Sequence, residues 1–247
     1  MIPTAFAAES SPFQLFDNNI TAGYAVASSF GNNETSSLNA NGQVLFDNNV
    51  WLNLSVFTKL TLSYANSSEP GMNQTLNNSA GSRFGIQGGY AFKINNSYNV
   101  IPHIGFAYGN QLLAINEDSV QQFIIEDPSF NYSFGVKQEL ILIPKKLKFA
   151  TDLGYNYSTH EAVLPNNTTG DLRHTDYDVS SLLITPELQW NVSDRFTVIG
   201  YYQYNYSYGD APNFPNVDFS NIGVNSSQVI KNNYSQNLFG INFGFLF

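Results

Sequence analysis

The sequence predicts an all-β fold, namely a single antiparallel, up-and-down transmembrane β-barrel, from three observations. Apolar and polar residues alternate with period two over most of the chain, which indicates strands with one apolar face. Long and short polar connections follow one another in strict alternation, as they do in membrane barrels. Charged residues make up only 12% of the 247 residues while aromatic residues reach 15%, a balance that suits an exterior in contact with lipid.

The period-two pattern defines ten strands. Residues 130–136, for example, place three aromatic rings on one face of a strand and Asn, Ser and Gly on the other. In the first third of the chain the second turn falls at 57–59 or, alternatively, at 47–49, and a count of eight strands stays open. The predicted strands are 18–30, 41–56, 59–66, 82–94, 98–109, 130–143, 147–159, 177–192, 196–208 and 232–247.

The connections between these strands come in two sizes. Three short ones lie at 95–97, 144–146 and 193–195, and all connections are rich in residues that tolerate turns. Membrane barrels have short periplasmic turns and long outer loops, so an even number of strands puts both chain ends on the periplasmic side. The predicted long loops are 31–41, 66–81, 109–129, 160–176 and 209–231.

Composition excludes several classes of function. The formal net charge of −9 argues against nucleic acid as a partner, because phosphate backbones need basic surfaces. The absence of cysteine excludes disulfides and cysteine-based metal sites, and we expect neither a metal nor a cofactor. No apolar run approaches the ~20 residues of a membrane helix. A chain of this kind can therefore cross a bilayer only as a closed barrel.

The chain divides into two unequal parts. Residues 1–10 are expected to be a signal-peptide remnant or a flexible N-terminus, because residues 5–7, Ala-Phe-Ala, have the small-x-small pattern of a cleavage site. Residues 11–247 form the predicted barrel, and the sequence gives no sign of a second domain.

Aromatic residues bunch at both ends of the predicted strands. Rings at these positions form the two interfacial girdles of a membrane barrel. The predicted girdle consists of Tyr64, Tyr108, Tyr132, Tyr157 and Tyr206 near the long loops, and of Trp190, Phe196 and Phe247 near the short turns.

Strand parity places a set of charges on the polar face, which lines the lumen. A buried charge must be paired, so Arg83, Lys137 or Lys148 should meet a carboxylate across the tube. Such pairs would form either a plug or the selectivity ring of a narrow pore, and the small bore of a ten-stranded barrel favours the plug. The predicted lumen-lining residues are Arg83, Lys93, His103, Lys137, Glu139, Lys148, Asp152 and Glu187.

The fourth long loop carries the remaining histidines, His160 and His174, near several carboxylates. A histidine paired with a carboxylate is the minimum for base catalysis, and ten-stranded omptin proteases have such residues at their outer rim. None of the longer omptin motifs is visible, and no serine stands out as a nucleophile. We therefore predict that the protein is not an enzyme, with a rim protease as the weaker alternative.

The closing run 234–247 resembles the last strand of Gram-negative outer-membrane proteins, because it alternates aromatic residues and ends in Phe247. The whole chain resembles small porin-like, OmpA-type or opacity-type barrels. This resemblance implies the bacterial outer membrane, with its lipid and lipopolysaccharide as partners, a monomer, and recognition of the last strand by the insertion machinery. The expected function is a narrow porin-like pore or a structural barrel, and the alternative is a sealed barrel that acts as a surface adhesin.

Overall fold

The computed structural model describes residues 12–29, 33–62, 76–116, 122–165, 172–209 and 233–247, which form an antiparallel β-barrel preceded by a short helix. Because β5 continues β4 after a break at Ala91, the barrel has ten strands. The elements are α1 (Gln14–Asp17), β1 (Asn19–Ser29), β2 (Asn33–Leu45), β3 (Val50–Leu62), β4 (Leu76–Tyr90), β5 (Phe92–Lys93), β6 (Tyr98–Asn116), β7 (Gln122–Ile143), β8 (Leu147–Pro165), β9 (Leu172–Asn191), β10 (Phe196–Gly209) and β11 (Asn233–Leu246).

The barrel closes through the first and last strands. Ile20 of β1 lies opposite Phe245 of β11, and Val26 lies opposite Phe239. On its other edge β1 pairs with β2, while β4 pairs with both β3 and β6. Every ladder is antiparallel, so the predicted up-and-down barrel is confirmed. Among the described residues no helix is long and apolar enough to cross a membrane.

The first third of the chain differs from the first-choice prediction. The second turn lies at 47–49, between β2 and β3, and residues 57–59 are inside β3. Asn49 adopts a φ of 66°, a left-handed conformation that asparagine tolerates better than most residues, and the Phe46 N–H donates to Val50 O at 2.9 Å. The predicted strands 41–56 and 59–66 were therefore wrong, the alternative turn was right, and an eight-stranded barrel is ruled out.

Most of the predicted long loops also start too early or end too late, and the predicted loop 31–41 was wrong, because β2 already begins at Asn33. The ladder between β6 and β7 continues to Asn116 opposite Gln122, well inside the predicted loop 109–129. The ladder between β8 and β9 likewise runs to Pro165 opposite Leu172. The hydrogen bonds of a ladder join backbone groups, so a ladder can continue through polar residues. Beyond the lipid, apolar and polar side chains no longer need to alternate along the strand. The predicted short turns at 95–97, 144–146 and 193–195 are confirmed.

The outward face of the barrel is an apolar band with defined limits. At its centre Ile104 is 72% exposed, and such exposure of a large apolar side chain fits contact with lipid. Toward the long-loop end of β7 and β8, the outward residues change from Phe130 and Tyr157 to Glu126 and Glu161. The strands therefore extend beyond the apolar band at the long-loop end.

Most of the predicted girdle residues lie at the limits of this band. Tyr108, Tyr132, Tyr157 and Tyr206 are exposed on the long-loop side, and Trp190 and Phe247 are exposed on the short-turn side. Phe196 is half-buried, with its ring packed against the rings of Phe243 and Phe245. Tyr64 lies outside the described residues.

Candidate functional site

The helix α1 lies inside the short-turn end of the barrel. Phe13, which precedes it, and Phe16 within it are fully buried. Their rings pack in one apolar cluster against inward-facing residues from the surrounding strands and turns, namely Leu45, Trp51, Ala91, Ile101 and Ile141. We call residues 13–17 the plug helix, because this cluster fills the short-turn end of the lumen.

Side chains of the wall hold the backbone of the plug helix. Gln189 Nε2 and Asn19 Nδ2 both donate to the carbonyl oxygen of Phe16, at 2.9 Å and 2.6 Å. From the helix side, Gln14 Nε2 donates to Leu45 O at 3.2 Å. A one-turn helix leaves most of its backbone groups without partners of its own, so these bonds fix where it sits.

Five ionisable residues beside the plug helix form what we call the charge cluster: Asp17, Lys137, Glu139, Lys148 and Glu187. Lys148 Nζ bonds Asp17 and lies 2.8 Å from Glu139 Oε1. Lys137 Nζ lies 2.9 Å from Glu187 and 3.5 Å from Glu139, and it also sits over the ring of Trp51. Pairing of this kind offsets the cost of removing charges from water.

The charge cluster holds three carboxyl groups and two ammonium groups, so full ionisation would leave one excess negative charge. Burial raises the pKa of the Asp17 carboxyl to about 7, and the neighbouring Glu139 carboxylate acts in the same direction. Lys148 and Lys137 oppose this shift. A proton on Asp17 therefore balances the cluster below neutral pH.

Because of this proton, the stability that the plug helix gives to the barrel depends on pH. The carboxyl has an ordinary pKa of 3.8 and a folded-state pKa of about 7, so its contribution to stability is full below pH 3.8 and is lost as the pH rises toward 7. We expect the free energy of unfolding to fall between pH 5 and pH 8, and to fall less in Asp17→Asn. Urea unfolding from lipid vesicles, followed by tryptophan fluorescence, measures both. An equal fall in the variant would contradict this assignment.

Above the charge cluster the lumen holds space that solvent can reach. The inward-facing side chains of Asp152 and Glu187 are 29% and 20% exposed, whereas the side chain of Lys148 is completely buried. Since the plug helix fills the short-turn end, this space lies on the long-loop side of the charge cluster, and we call it the vestibule. At its base His103 Nε2 lies 2.9 Å from Asp152 Oδ1, and the imidazole packs against Gly135, where a Cβ would come within 2.8 Å of the ring.

Four inward-facing residues at the long-loop end form a second polar group, which we call the mouth cluster: Asp127, Ser158, His160 and Tyr177. His160 Nδ1 lies 3.0 Å from Asp127 Oδ2, and its Nε2 lies 2.9 Å from Ser158 Oγ. The Tyr177 hydroxyl donates to the same carboxylate oxygen at 2.7 Å, and its ring stacks on the imidazole at 4.6 Å between centroids. Three adjacent strands, β7, β8 and β9, supply these residues.

No family model and no curated protein matches the chain. Among solved structures it is similar to the outer membrane protease OmpT from Escherichia coli, with 8% identity over 93% of this chain and 96% of that chain and a TM-score of 0.50. Two further similar structures have lower TM-scores. The translocator domain of the autotransporter NalP from Neisseria meningitidis has 8% identity over 93% and 88% of the two chains and a TM-score of 0.49. Ail from Yersinia pestis has 14% identity over 93% and 97% and a TM-score of 0.39.

Sequence identities this low give information on the fold alone. The similarity to OmpT extends over nearly all of both chains and supports the barrel fold. The chain has the fold of an outer-membrane β-barrel. The apolar outward band fits a barrel that spans a lipid bilayer, and the fold is the one that the sequence predicted.

The structure gives each predicted lumen residue a definite place in this barrel. Four of them belong to the charge cluster, and two, His103 and Asp152, form the pair at the base of the vestibule. Arg83 faces inward and is half-buried, without an ion pair to any other residue of the described ranges. Lys93 is exposed on β5 at the short-turn rim and does not line the enclosed lumen.

The two rim histidines have different surroundings. His160 is inside the mouth, whereas His174 is exposed and its Nδ1 lies 2.9 Å from Glu161. Sequence reasoning missed the roles of Asp17 and Ser158. The S-x-H spacing of Ser158 and His160 puts both on one strand face and could have singled out that serine, but nothing in the sequence pointed to Asp17.

Proposed function

We propose that the protein is a sealed outer-membrane barrel, closed at its periplasmic end by the plug helix, with a polar vestibule that opens to the outside. One observation carries this proposal: Phe13, Phe16 and Lys148 are completely buried at the short-turn end of the lumen. A short-turn end of a membrane barrel is periplasmic. Passage through the barrel would therefore require the plug helix to leave its seat.

The contacts of the plug helix argue against the narrow-pore alternative. Its departure would break the bonds from Gln189 and Asn19 and would separate Asp17 from Lys148. Separating that pair would leave the Lys148 ammonium short of one of its two carboxylate partners. These contacts therefore fit a sealed structural barrel better than a channel that is constantly open.

The outer rim supports a role at the cell surface. Glu126, Glu161, Asp176 and Asp178 are exposed on the outward face, beyond the apolar band. These carboxylates lie on the three neighbouring strands β7, β8 and β9, and such an acidic patch suits divalent cations bridging to lipopolysaccharide, or a basic partner. Outer-membrane lipid, lipopolysaccharide and the insertion machinery at the β11 strand remain the proposed partners, with the barrel as a monomer.

Solute flux tests the seal. We expect liposomes carrying the purified, folded protein to take up small sugars no faster than empty liposomes, as followed by osmotic swelling. The double variant Phe13→Asp/Phe16→Asp places two charges in the apolar cluster, where they lack partners, so the plug helix should leave and uptake should rise severalfold.

The matched control is Phe46→Asp, which makes the same substitution at an exposed ring in the turn after β2. This control should swell like the unaltered protein. Heat-dependent migration in detergent gels shows that each barrel is folded. Rapid uptake by the unaltered protein would contradict the sealed barrel.

A further inference from the structure

The mouth cluster has the connectivity of a nucleophile, a base and an acid that orients the base. Ser158 Oγ contacts Nε2 of His160, and the other ring nitrogen of that imidazole contacts Asp127. A serine hydroxyl becomes a useful nucleophile when a histidine accepts its proton and a carboxylate fixes the imidazole tautomer. All three contacts are within hydrogen-bond distance without any rearrangement.

The surroundings hold the imidazole in this orientation. Asp127 is buried, and it accepts a second hydrogen bond from the Tyr177 hydroxyl. Tyr177 also stacks on the ring of His160, which restricts rotation of the imidazole. The carboxylate is thus held on the Nδ1 side, which leaves Nε2 to accept the proton of Ser158.

From this geometry we infer a serine hydrolase centre in the mouth of the vestibule, with Ser158 as nucleophile, His160 as general base and acid, and Asp127 as the orienting acid. This inference goes beyond the sealed barrel proposed above, since a closed periplasmic end is compatible with chemistry at the outer end. Ester hydrolysis here would also need no passage through the barrel.

The reaction balances with water as the second substrate. His160 Nε2 takes the hydroxyl proton as Ser158 Oγ attacks the ester carbonyl, and the same proton then goes to the departing alcohol as the C–O bond breaks. A water molecule next gives a proton to His160 and attacks the acyl carbon. The acyl–Oγ bond breaks, Ser158 regains its proton, and the carboxylic acid leaves. Asn131 lies directly opposite Ser158 in the β7–β8 ladder, and its Nδ2 donates one hydrogen bond to Ser129 Oγ at 3.3 Å, which leaves the second N–H of that amide to stabilise the oxyanion.

The position of the centre determines the class of ester. Among the described residues, the inward face around it combines Val179 with hydroxyl and amide side chains such as Ser181, Ser207 and Asn156, which suits a short acyl group better than a long acyl chain. The carboxylates of the outer rim repel anions. The expected substrate is therefore a small, neutral or cationic ester that arrives from outside the cell.

A second hydrogen-bond acceptor competes for the hydroxyl proton. Ser158 Oγ also lies 3.1 Å from the carbonyl oxygen of Val179. When the imidazole is protonated, Nε2 must donate to Oγ and the hydroxyl turns to Val179. The nucleophile is therefore active only with a neutral imidazole.

The test uses the full-length folded barrel in detergent, with p-nitrophenyl acetate as the small neutral ester and a fluorophosphonate as the covalent probe. We expect release of p-nitrophenolate and one fluorophosphonate adduct on the peptide that contains Ser158. Ser158→Ala should abolish the adduct and lower kcat/KM by at least about 100-fold, and Asp127→Asn should lower it at least about tenfold.

The matched control is Ser37→Ala, which removes another inward-facing hydroxyl, one that lies on β2, away from the mouth cluster, and donates to Ala25 O at 3.4 Å. This variant should leave both the fluorophosphonate adduct and kcat/KM unchanged. If Ser158→Ala keeps the hydrolysis while His160→Ala loses it, the histidine activates water directly and the serine nucleophile is overturned. The absence of both adduct and hydrolysis in the unaltered protein would also overturn it.

Discussion

Replacing Lys148 by methionine should lower the free energy of unfolding by roughly 3 kcal/mol, because it leaves the Asp17 and Glu139 carboxyl groups buried without the ammonium between them. Breaking a buried ion pair by removing one partner costs about 3–5 kcal/mol, and Lys137, at 3.5 Å from Glu139, keeps the loss at the lower end. Urea unfolding from lipid vesicles measures the difference.

Two comparisons isolate the charge effect in this experiment. Lys93→Met removes the same charge at an exposed position and should change stability by less than about 0.5 kcal/mol. Adding Glu139→Gln to Lys148→Met should recover part of the loss, because it removes the carboxylate that Lys148 no longer neutralises, whereas Asp17 already holds a proton near neutral pH. A Lys148→Met barrel as stable as the parent would show that the charge cluster is not formed.

Placing arginine at Ile104 should destabilise the barrel by about 2–4 kcal/mol, the cost of a cation at the midplane of a bilayer. Ile104 faces outward, 72% exposed, between Tyr98 and Tyr108 on the same strand. Unfolding from vesicles at fixed lipid composition gives the free-energy difference. The same substitution on a soluble surface would cost almost nothing.

Leu112→Arg supplies the control for this substitution. Leu112 faces outward on the same strand but lies beyond the apolar band, opposite Glu126. Its replacement should cost no more than about 1 kcal/mol. Equal effects at both positions would contradict the assignment of the band to the hydrocarbon region.

The alternation of apolar and polar residues was enough to predict most of the strands, and this has a physical reason. One face of each strand meets lipid, which favours large apolar side chains such as Phe84, Ile104 and Phe134. The strand parity that follows also put Lys137, Glu139 and Lys148 on the inward face, where the structure brings them into one cluster.

Strand β2 could not be found in this way. Leu38 and Val44 are the large apolar residues on its outward face, where Ser36, Ala40 and Gly42 lie between and beside them, and its inward residues include Asn39 and Gln43, so the apolar pattern is weak. Its position is determined by pairing with β1 and β3, which is tertiary information. The same holds for the ladders that extend beyond the apolar band.

The plug helix was beyond sequence reasoning for a different reason. The five residues 13–17, with Phe13 and Phe16 at i, i+3 spacing, carry no helical signal on their own, since a single turn is unstable in isolation. The helix exists because the barrel provides an apolar seat and a buried ammonium for Asp17. The mouth cluster likewise depends on the β7–β8–β9 register, which brings residues 33 positions apart into contact.

Single-channel recording in planar bilayers tests the sealed barrel most directly, because ions pass through gaps that exclude sugars. The account predicts that the folded, unaltered protein gives no stepwise current, and that Phe13→Asp/Phe16→Asp gives discrete steps under the same conditions. Regular steps from the unaltered protein would contradict a lumen closed by the plug helix.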